Sequence, residues 1–288
     1  MLQSLDTLRL VTRGEPFNLR NLVHSISPPV EQYVAYCDND PERPCYAQVI
    51  SRVDETQGQL TFLGALDDAD QTDIACMLEN LVAAAGKWGT HYITCDLPTD
   101  SPHITGFKKA GFLTWANQSV FRLAPSATDE GNPKYAWRTW NANDMRAMTC
   151  LYRGVVPGLF QPIEPLTRKA ALGLALYHSE GALLGYADLD SGPKGVWVQP
   201  VLSPEANDPQ ILLDLLKAIP DLYNRPVFLA ARSYQPWLAS LTAQLPGEIY
   251  GTQFLLVRYL VRQLKVAEPQ AFALYEAGNI ERSLPVSQ

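Results

Sequence analysis

Two acidic stretches stand where this chain turns from an apolar strand into an amphipathic helix. The first is Leu66-Asp67-Asp68-Ala69-Asp70-Gln71-Thr72-Asp73, and the second is Leu202-Ser203-Pro204-Glu205-Ala206-Asn207-Asp208-Pro209. A turn of this kind can do one of two things. Its free backbone N–H groups can bind an anion, or the chain's own Asp, Ser and Thr side chains can cap them. Neither stretch contains the glycine that lets backbone approach a phosphate closely, and neither contains Lys or Arg. Proline in the second removes donor N–H groups. Capping by Asp70, Thr72, Asp73 and Asp208, or an altered anion site, are both open at this point.

Elsewhere the reactive side chains are dispersed. His24, His91, His103 and His178 share no metal-ligand spacing, so no metal is expected. Gly158, Gly173, Gly181 and Gly185 form no phosphate-loop fingerprint, and there is no Gly-x-Ser-x-Gly elbow. The five cysteines form no C-x-x-C pair and read as reduced packing thiols. Cys37 and Cys45 flank the turn Asp38–Pro44 and can face each other across a hairpin. Tyr33, Tyr36, Tyr46, Trp115, Trp137, Trp140, Tyr177, Tyr186 and Tyr250 fall mostly in strand-like segments and suit a core, or in part the lining of a cleft between central strands.

The elements that position the two turns occur twice, 135 residues apart. Gln59–Leu66 aligns with Lys194–Val201, Thr72–Thr90 with Asn207–Arg225, and His91–Pro98 with Pro226–Ser233. Each set reads strand, helix, strand. The spacing is too long for a solenoid, so it predicts two copies of one domain. Ile74, Met77, Leu78, Leu81, Val82 and Ala85 form one apolar helical stripe. Hairpins are expected at Gln32–Tyr36 with Tyr46–Val53, and at Leu172–Tyr177 with Leu183–Leu189. Shorter helices follow at 101–110, where Asp100 is expected as N-cap, and at 234–245. Final strands follow at Phe112–Leu123 and Ile249–Leu260. A strand at Leu8–Thr12 and a helix at 17–26 are expected before the first hairpin, and a helix at Asp144–Val155 opens the second half.

With this order of elements, the run Gly106-Phe107-Lys108-Lys109-Ala110-Gly111-Phe112 resembles the close of the fourth helix in the GNAT (Gcn5-related N-acetyltransferase) superfamily. The resemblance implies a mixed α/β fold made of two tandem GNAT-like domains. The expected divisions are 1–123, a linker at 124–134, 135–264 and a tail at 265–288. It implies transfer of an acyl group from acetyl-CoA or another acyl-CoA to an amine acceptor. It places the cofactor-binding positions at Leu66, Ala69, Gln71, Thr72, Val201, Ser203 and Asn207. The family's tyrosine position falls on Phe107 and Ala243, and neither Gln59–Leu66 nor Lys194–Val201 carries a carboxylate, so no catalytic residue is assigned. A non-catalytic protein on the same scaffold, serving as a small-ligand sensor or assembly partner, is the alternative.

Composition bounds the partners. A chain of 288 residues with 47% hydrophobic residues can build a core in each half. Its net charge of -7 argues against nucleic acid or an anionic membrane as partner. No apolar run approaches the roughly 18–20 residues of a membrane span, and the opening MLQSLDTLRLV has no signal-peptide pattern. A cytoplasmic protein is expected. Its halves are expected to pack as an internal pseudo-dimer, with the two final strands near the contact.

Overall fold

A computed structural model describes residues 2–14, 30–52, 56–123, 134–167, 172–178, 180–219 and 225–260. The expected helix at 17–26, nearly all of the 124–134 linker and the tail at 265–288 lie outside the described residues. The first half runs β1 (Leu2–Ser4), α1 (Thr7–Arg13), β2 (Val30–Cys37), β3 (Cys45–Arg52), β4 (Gln57–Gly64), α2 (Gln71–Lys87), β5 (Tyr92–Pro98), α3 (Ile104–Lys109) and β6 (Leu113–Leu123). The second half runs β7 (Trp137–Thr139), α4 (Met145–Val155), β8 (Leu172–Tyr177), β9 (Leu183–Ser191), β10 (Val196–Leu202), α5 (Gln210–Ala218), β11 (Val227–Arg232), α6 (Pro236–Thr242) and β12 (Gly247–Tyr259).

All the strands join one sheet in the order β2-β3-β4-β5-β12-β6-β11-β10-β9-β8-β7, with β1 beside β4. The final strands are exchanged between halves: β12 lies against β5, and β6 lies against β11. Between them, β6 and β12 pair antiparallel with Gln118 opposite Gln253. These two residues are 135 positions apart, the spacing at which the strand, helix, strand pattern recurs in the sequence. The cores follow the exchange. Leu256 of β12 packs into the first-half core under α2, and Phe121 and Leu123 of β6 pack into the second-half core under α5.

Leu8–Thr12 is helical, not extended. Asp6 accepts the Arg9 N–H at 3.0 Å as a cap, and Leu8, Val11 and Thr12 then share the i, i+3, i+4 face that helix geometry buries. Val11 packs with Val120, Trp197, Phe228 and Ala230, so α1 belongs to a core that both halves build. Asp100 is not an N-cap either. Helix α3 starts only at Ile104, and the Ser101 hydroxyl accepts the His103 N–H at 3.4 Å.

The entry to α4 is held by Asp144. Its carboxylate accepts two bonds from Arg138, at 2.6 and 2.9 Å, and one each from the Tyr177 hydroxyl at 2.6 Å and the Asn141 N–H at 2.8 Å. The Arg138 bond first, then those of Tyr177 and Asn141, hold this carboxyl well below its ordinary value of 3.8 despite burial. Asp144→Asn is expected to cost about 1–3 kcal/mol at neutral pH, because the buried carboxylate loses its charge-assisted bonds from Arg138 and Tyr177. A depressed folded-state value gives stability that is complete above the ordinary value and fades as pH falls toward the depressed one. In urea titrations, wild type and D144N should therefore converge in strong acid; a gap that persists there would refute this account.

Candidate functional site: two parted strand pairs

In each half, a parallel strand pair opens into a V that faces an acidic turn. Strands β4 and β5 pair only from Gln57–Gln59 to Tyr92–Thr94, and β10 and β11 only from Val196–Val198 to Val227–Leu229. Beyond those points the strands part, and each V offers unpaired backbone groups to a ligand.

The first V is filled by β1. Leu2, Gln3 and Ser4 pair antiparallel with Gly64, Leu63 and Phe62 on the side of β4 that faces β5. The Leu5 N–H donates to the Thr61 carbonyl at 2.9 Å, and the Leu5 carbonyl accepts from the Asp96 N–H of β5 at 2.9 Å. Leu5 is 0% exposed. The Thr7 N–H donates to the Asp96 carboxylate at 3.1 Å. The contrast with the second half is direct. Strand β7 lies 135 residues after β1, yet it pairs with β8 at the far edge of the sheet. In the first half the corresponding edge is left to β2.

The second V is filled by side chains. Pro200 has no N–H to offer. The Gln235 amide takes two backbone groups on that side of β10, accepting from the Leu202 N–H at 3.0 Å and donating to the Pro200 carbonyl at 3.2 Å. Gln235 is 0% exposed. The Trp237 indole N–H donates to the Leu202 carbonyl at 3.2 Å. Deeper in the V lies a buried ion pair. Arg232 Nε stands 3.1 Å from Glu164 Oε2, and Gln199 bonds both partners. Burial works against the charge on Arg232, but Glu164 first, with Tyr234 and Asp96, together more than offset it and raise its pKa. Arg232 also bonds Gln118, Gln118 bonds Gln253, and Gln253 bonds the Thr7 hydroxyl. One polar chain thus runs from one V to the other. The Tyr186 hydroxyl, buried beside this ion pair, finds no hydrogen-bond partner among the described residues, and the buried Tyr234 hydroxyl faces the Arg232 guanidinium. Burial pushes both phenols up.

The acidic turns are capped by the chain itself. Asp70 accepts the Thr72 N–H at 2.7 Å, and Asp208 accepts the Gln210 N–H at 2.9 Å. The backbone bond from Thr72 lowers the Asp70 pKa, and the Lys134 contact lowers that of Asp208. Leu66, 44% exposed, accepts from the Ala69 N–H at 3.0 Å. Gln71 bridges the Ala69 carbonyl, at 3.1 Å, and the Gly106 N–H, at 2.9 Å. The Thr72 hydroxyl accepts from Lys109 at 3.2 Å. In the second turn, Val201 is buried within β10, the Ser203 N–H donates to Leu184 at 2.8 Å, and the Asn207 N–H donates to Glu205 at 3.0 Å. The seven residues thus divide between two separate turns. Phe107 is buried, with its ring against Phe112 at 5.4 Å, and Ala243 follows α6 at the surface.

Sequence reasoning did not single out β1, Gln235, Glu164 or Arg232 as site residues. Arg232 carried a signal, since it is the one charge in the otherwise apolar strand Val227–Arg232, and a buried charge demands a partner.

The fold is that of the GCN5-related N-acetyltransferases. The structure is similar to a GCN5-related N-acetyltransferase from Kribbella flavida, with a TM-score of 0.50 and 13% identity over 83% of this chain and 91% of that one. It is also similar to a functionally unknown conserved protein from Staphylococcus epidermidis, with a TM-score of 0.55 and 9% identity over 79% of this chain and 95% of that one. A tandem GNAT protein from the clavulanic acid biosynthesis pathway has a TM-score of 0.49 and 15% identity over 90% of this chain and 98% of that one. No protein-family model matches the sequence, and no curated protein does.

The acyl-CoA that this fold implies does not fit the residues present. An extended pantetheine arm needs the backbone groups along the opened side of the V. Strand β1 takes them in the first half, and Gln235 with Pro200 removes them in the second. A pyrophosphate needs free N–H groups at the helix start, and there Asp70 and Asp208 already accept. Among the described residues, no group of three His, Cys, Asp or Glu can hold a metal, and no helix is long and apolar enough to cross a membrane.

Proposed function

We propose that this chain is a non-catalytic protein built on the acyltransferase scaffold, in which the opened strand pairs serve to hold the two halves together. The observation that carries this reading is the chain's own occupation of both Vs: β1 with Leu5 in one, and the Gln235 amide in the other. The two fillings share the polar chain from Arg232 to Thr7, so what elsewhere would be a ligand cleft supports the joint between halves. The measurement is thermal unfolding with acetyl-CoA, alongside an assay for free thiol released in the presence of amines. A ligand at 100 times its Kd stabilises by about 2.7 kcal/mol. No rise in Tm at millimolar acetyl-CoA and no thiol release are expected. A clear rise, or turnover of any amine, would remove the reading.

One observation favours a second reading. The buried hydroxyls of Tyr186 and Tyr234 beside Glu164 and Arg232 are a polar set within the second V. On that reading the second half is a divergent acyl-CoA-dependent N-acyltransferase. Thiol release that Tyr234→Phe abolishes in a folded protein would support it.

A further inference from the structure

The hairpin of β2 and β3 sets two thiols face to face. Cys37 is paired with Cys45 in register, across the turn Asp38–Pro44. Directly opposed residues of an antiparallel pair have Cα atoms about 4.5–5.5 Å apart. That lies within the roughly 4.4–6.8 Å that a disulfide spans. Both side chains lie on the core side of the hairpin: Cys45 is buried in the first-half core and Cys37 packs against it, partly exposed. The same turn grips the first acidic stretch. Asn39 donates to Asp73 at 2.7 Å, and Arg43 meets Asp68 at 3.0 Å. Cys76 stands nearby on α2, exposed, while Cys95 is buried in β5 and Cys150 lies on α4 in the other half.

We propose that Cys37 and Cys45 form a modification site, converted by a small-molecule disulfide into a cross-strand disulfide that fastens the hairpin over the Asp-rich turn. The partly exposed Cys37 thiolate attacks the S–S bond of the oxidant, forming a mixed disulfide and releasing one thiolate. Cys45 then gives its proton to solvent and attacks the Cys37 sulfur, releasing the second thiolate. Two protein thiols are oxidised, and one external disulfide is reduced to two thiols. The order of attack follows from environment. Burial, with Cys37 adding to it, pushes the Cys45 thiol up to about 12, so Cys45 is the poorer first nucleophile.

The full-length protein is incubated with oxidised glutathione, denatured, alkylated and digested. The expected result is that two of the five cysteines escape alkylation and a peptide joins Cys37 to Cys45. Hydrogen exchange in residues 66–73 should slow on oxidation and recover on reduction. Cys37→Ser and Cys45→Ser should each abolish the linked peptide, and Cys76→Ser should leave it. If all five thiols alkylate after oxidation, or the joined pair contains Cys76 or Cys95, the proposal is overturned. Mapping of the wild-type chain decides this even where a serine variant fails to fold.

Discussion

Replacing Arg232 by methionine is expected to cost about 3–5 kcal/mol, because it leaves the Glu164 carboxylate buried without its counter-charge. The two groups are 5% and 4% exposed, and Arg232 reaches both carboxylate oxygens, at 3.1 and 3.3 Å. The loss does not stop at the pair. Gln118 and Gln199 each present an oxygen to Arg232, and Gln118 passes the chain to Gln253 on β12. Removing the guanidinium therefore orphans acceptors in both halves, and each orphaned buried group has its own desolvation cost. Glu164→Gln keeps the shape and removes the negative charge, so alone it strands the positive one. Arg232→Met combined with Glu164→Leu removes both charges together and should recover much of the loss. Urea unfolding of Arg232→Met, of Glu164→Leu and of the double variant gives the coupling. A loss below about 1 kcal/mol for Arg232→Met would put the pair in the range of surface ion pairs and refute its role as a unit.

Those residues divide what the sequence discloses from what it conceals. The hairpins were legible because alternation is a local property: Ala35, Ala47 and Val49 are buried, and their neighbours Val34 and Tyr36 are exposed. Helix α2 was legible for the same reason, as Ile74, Met77, Leu78, Leu81 and Ala85 all enter the core. Capping by Asp70 was legible from residue type alone. Strand exchange was not, because periodicity specifies which face of a strand is buried and says nothing about which strand lies beside it. Helix α1 was misread because, over so few residues, Leu8, Leu10 and Thr12 read as strand alternation while Leu8, Val11 and Thr12 read as a helix face. Gln235 was invisible for another reason. Its amide imitates a peptide group, and whether it faces solvent or a parted strand depends on the placing of β10, more than thirty residues upstream.

The different fates of β1 and β7 explain why the halves are not equivalent despite their common order of elements. Strand β7 completes an edge, and the second V is left to Gln235, Trp237 and the ion pair. Strand β1 leaves its edge and enters the first V, and α1 is carried with it into the joint. There the Thr12 carbonyl accepts from the Lys194 N–H of the other half at 2.9 Å. Arg232 in one half and Thr7 in the other end the same chain of glutamines. The joint therefore uses a charge on one side and a helix start on the other.

Leu5→Ala is expected to be as damaging as a truncation deep in a core, about 2–5 kcal/mol. Chain ends and the residues near them usually tolerate change, so the position makes this an informative substitution. Leu5 is fully buried among Leu60, Leu63 and Leu97, and its backbone bridges β4 to β5. Alanine keeps both backbone bonds and removes only the side chain, so the loss measures packing in the V. Deleting residues 1–5 removes the bridge as well. Thr61 then loses its donor and the Asp96 N–H its acceptor, in a place where both were buried. The deletion should thus cost more than Leu5→Ala, and hydrogen exchange should rise along Thr61–Gly64 and at Asp96 while β8 and β9 stay protected. If the V is a ligand cleft that β1 merely visits, both variants would melt close to wild type and the deleted chain would gain stability from acetyl-CoA. If β1 is a structural strand of the joint, both variants melt lower and acetyl-CoA rescues neither.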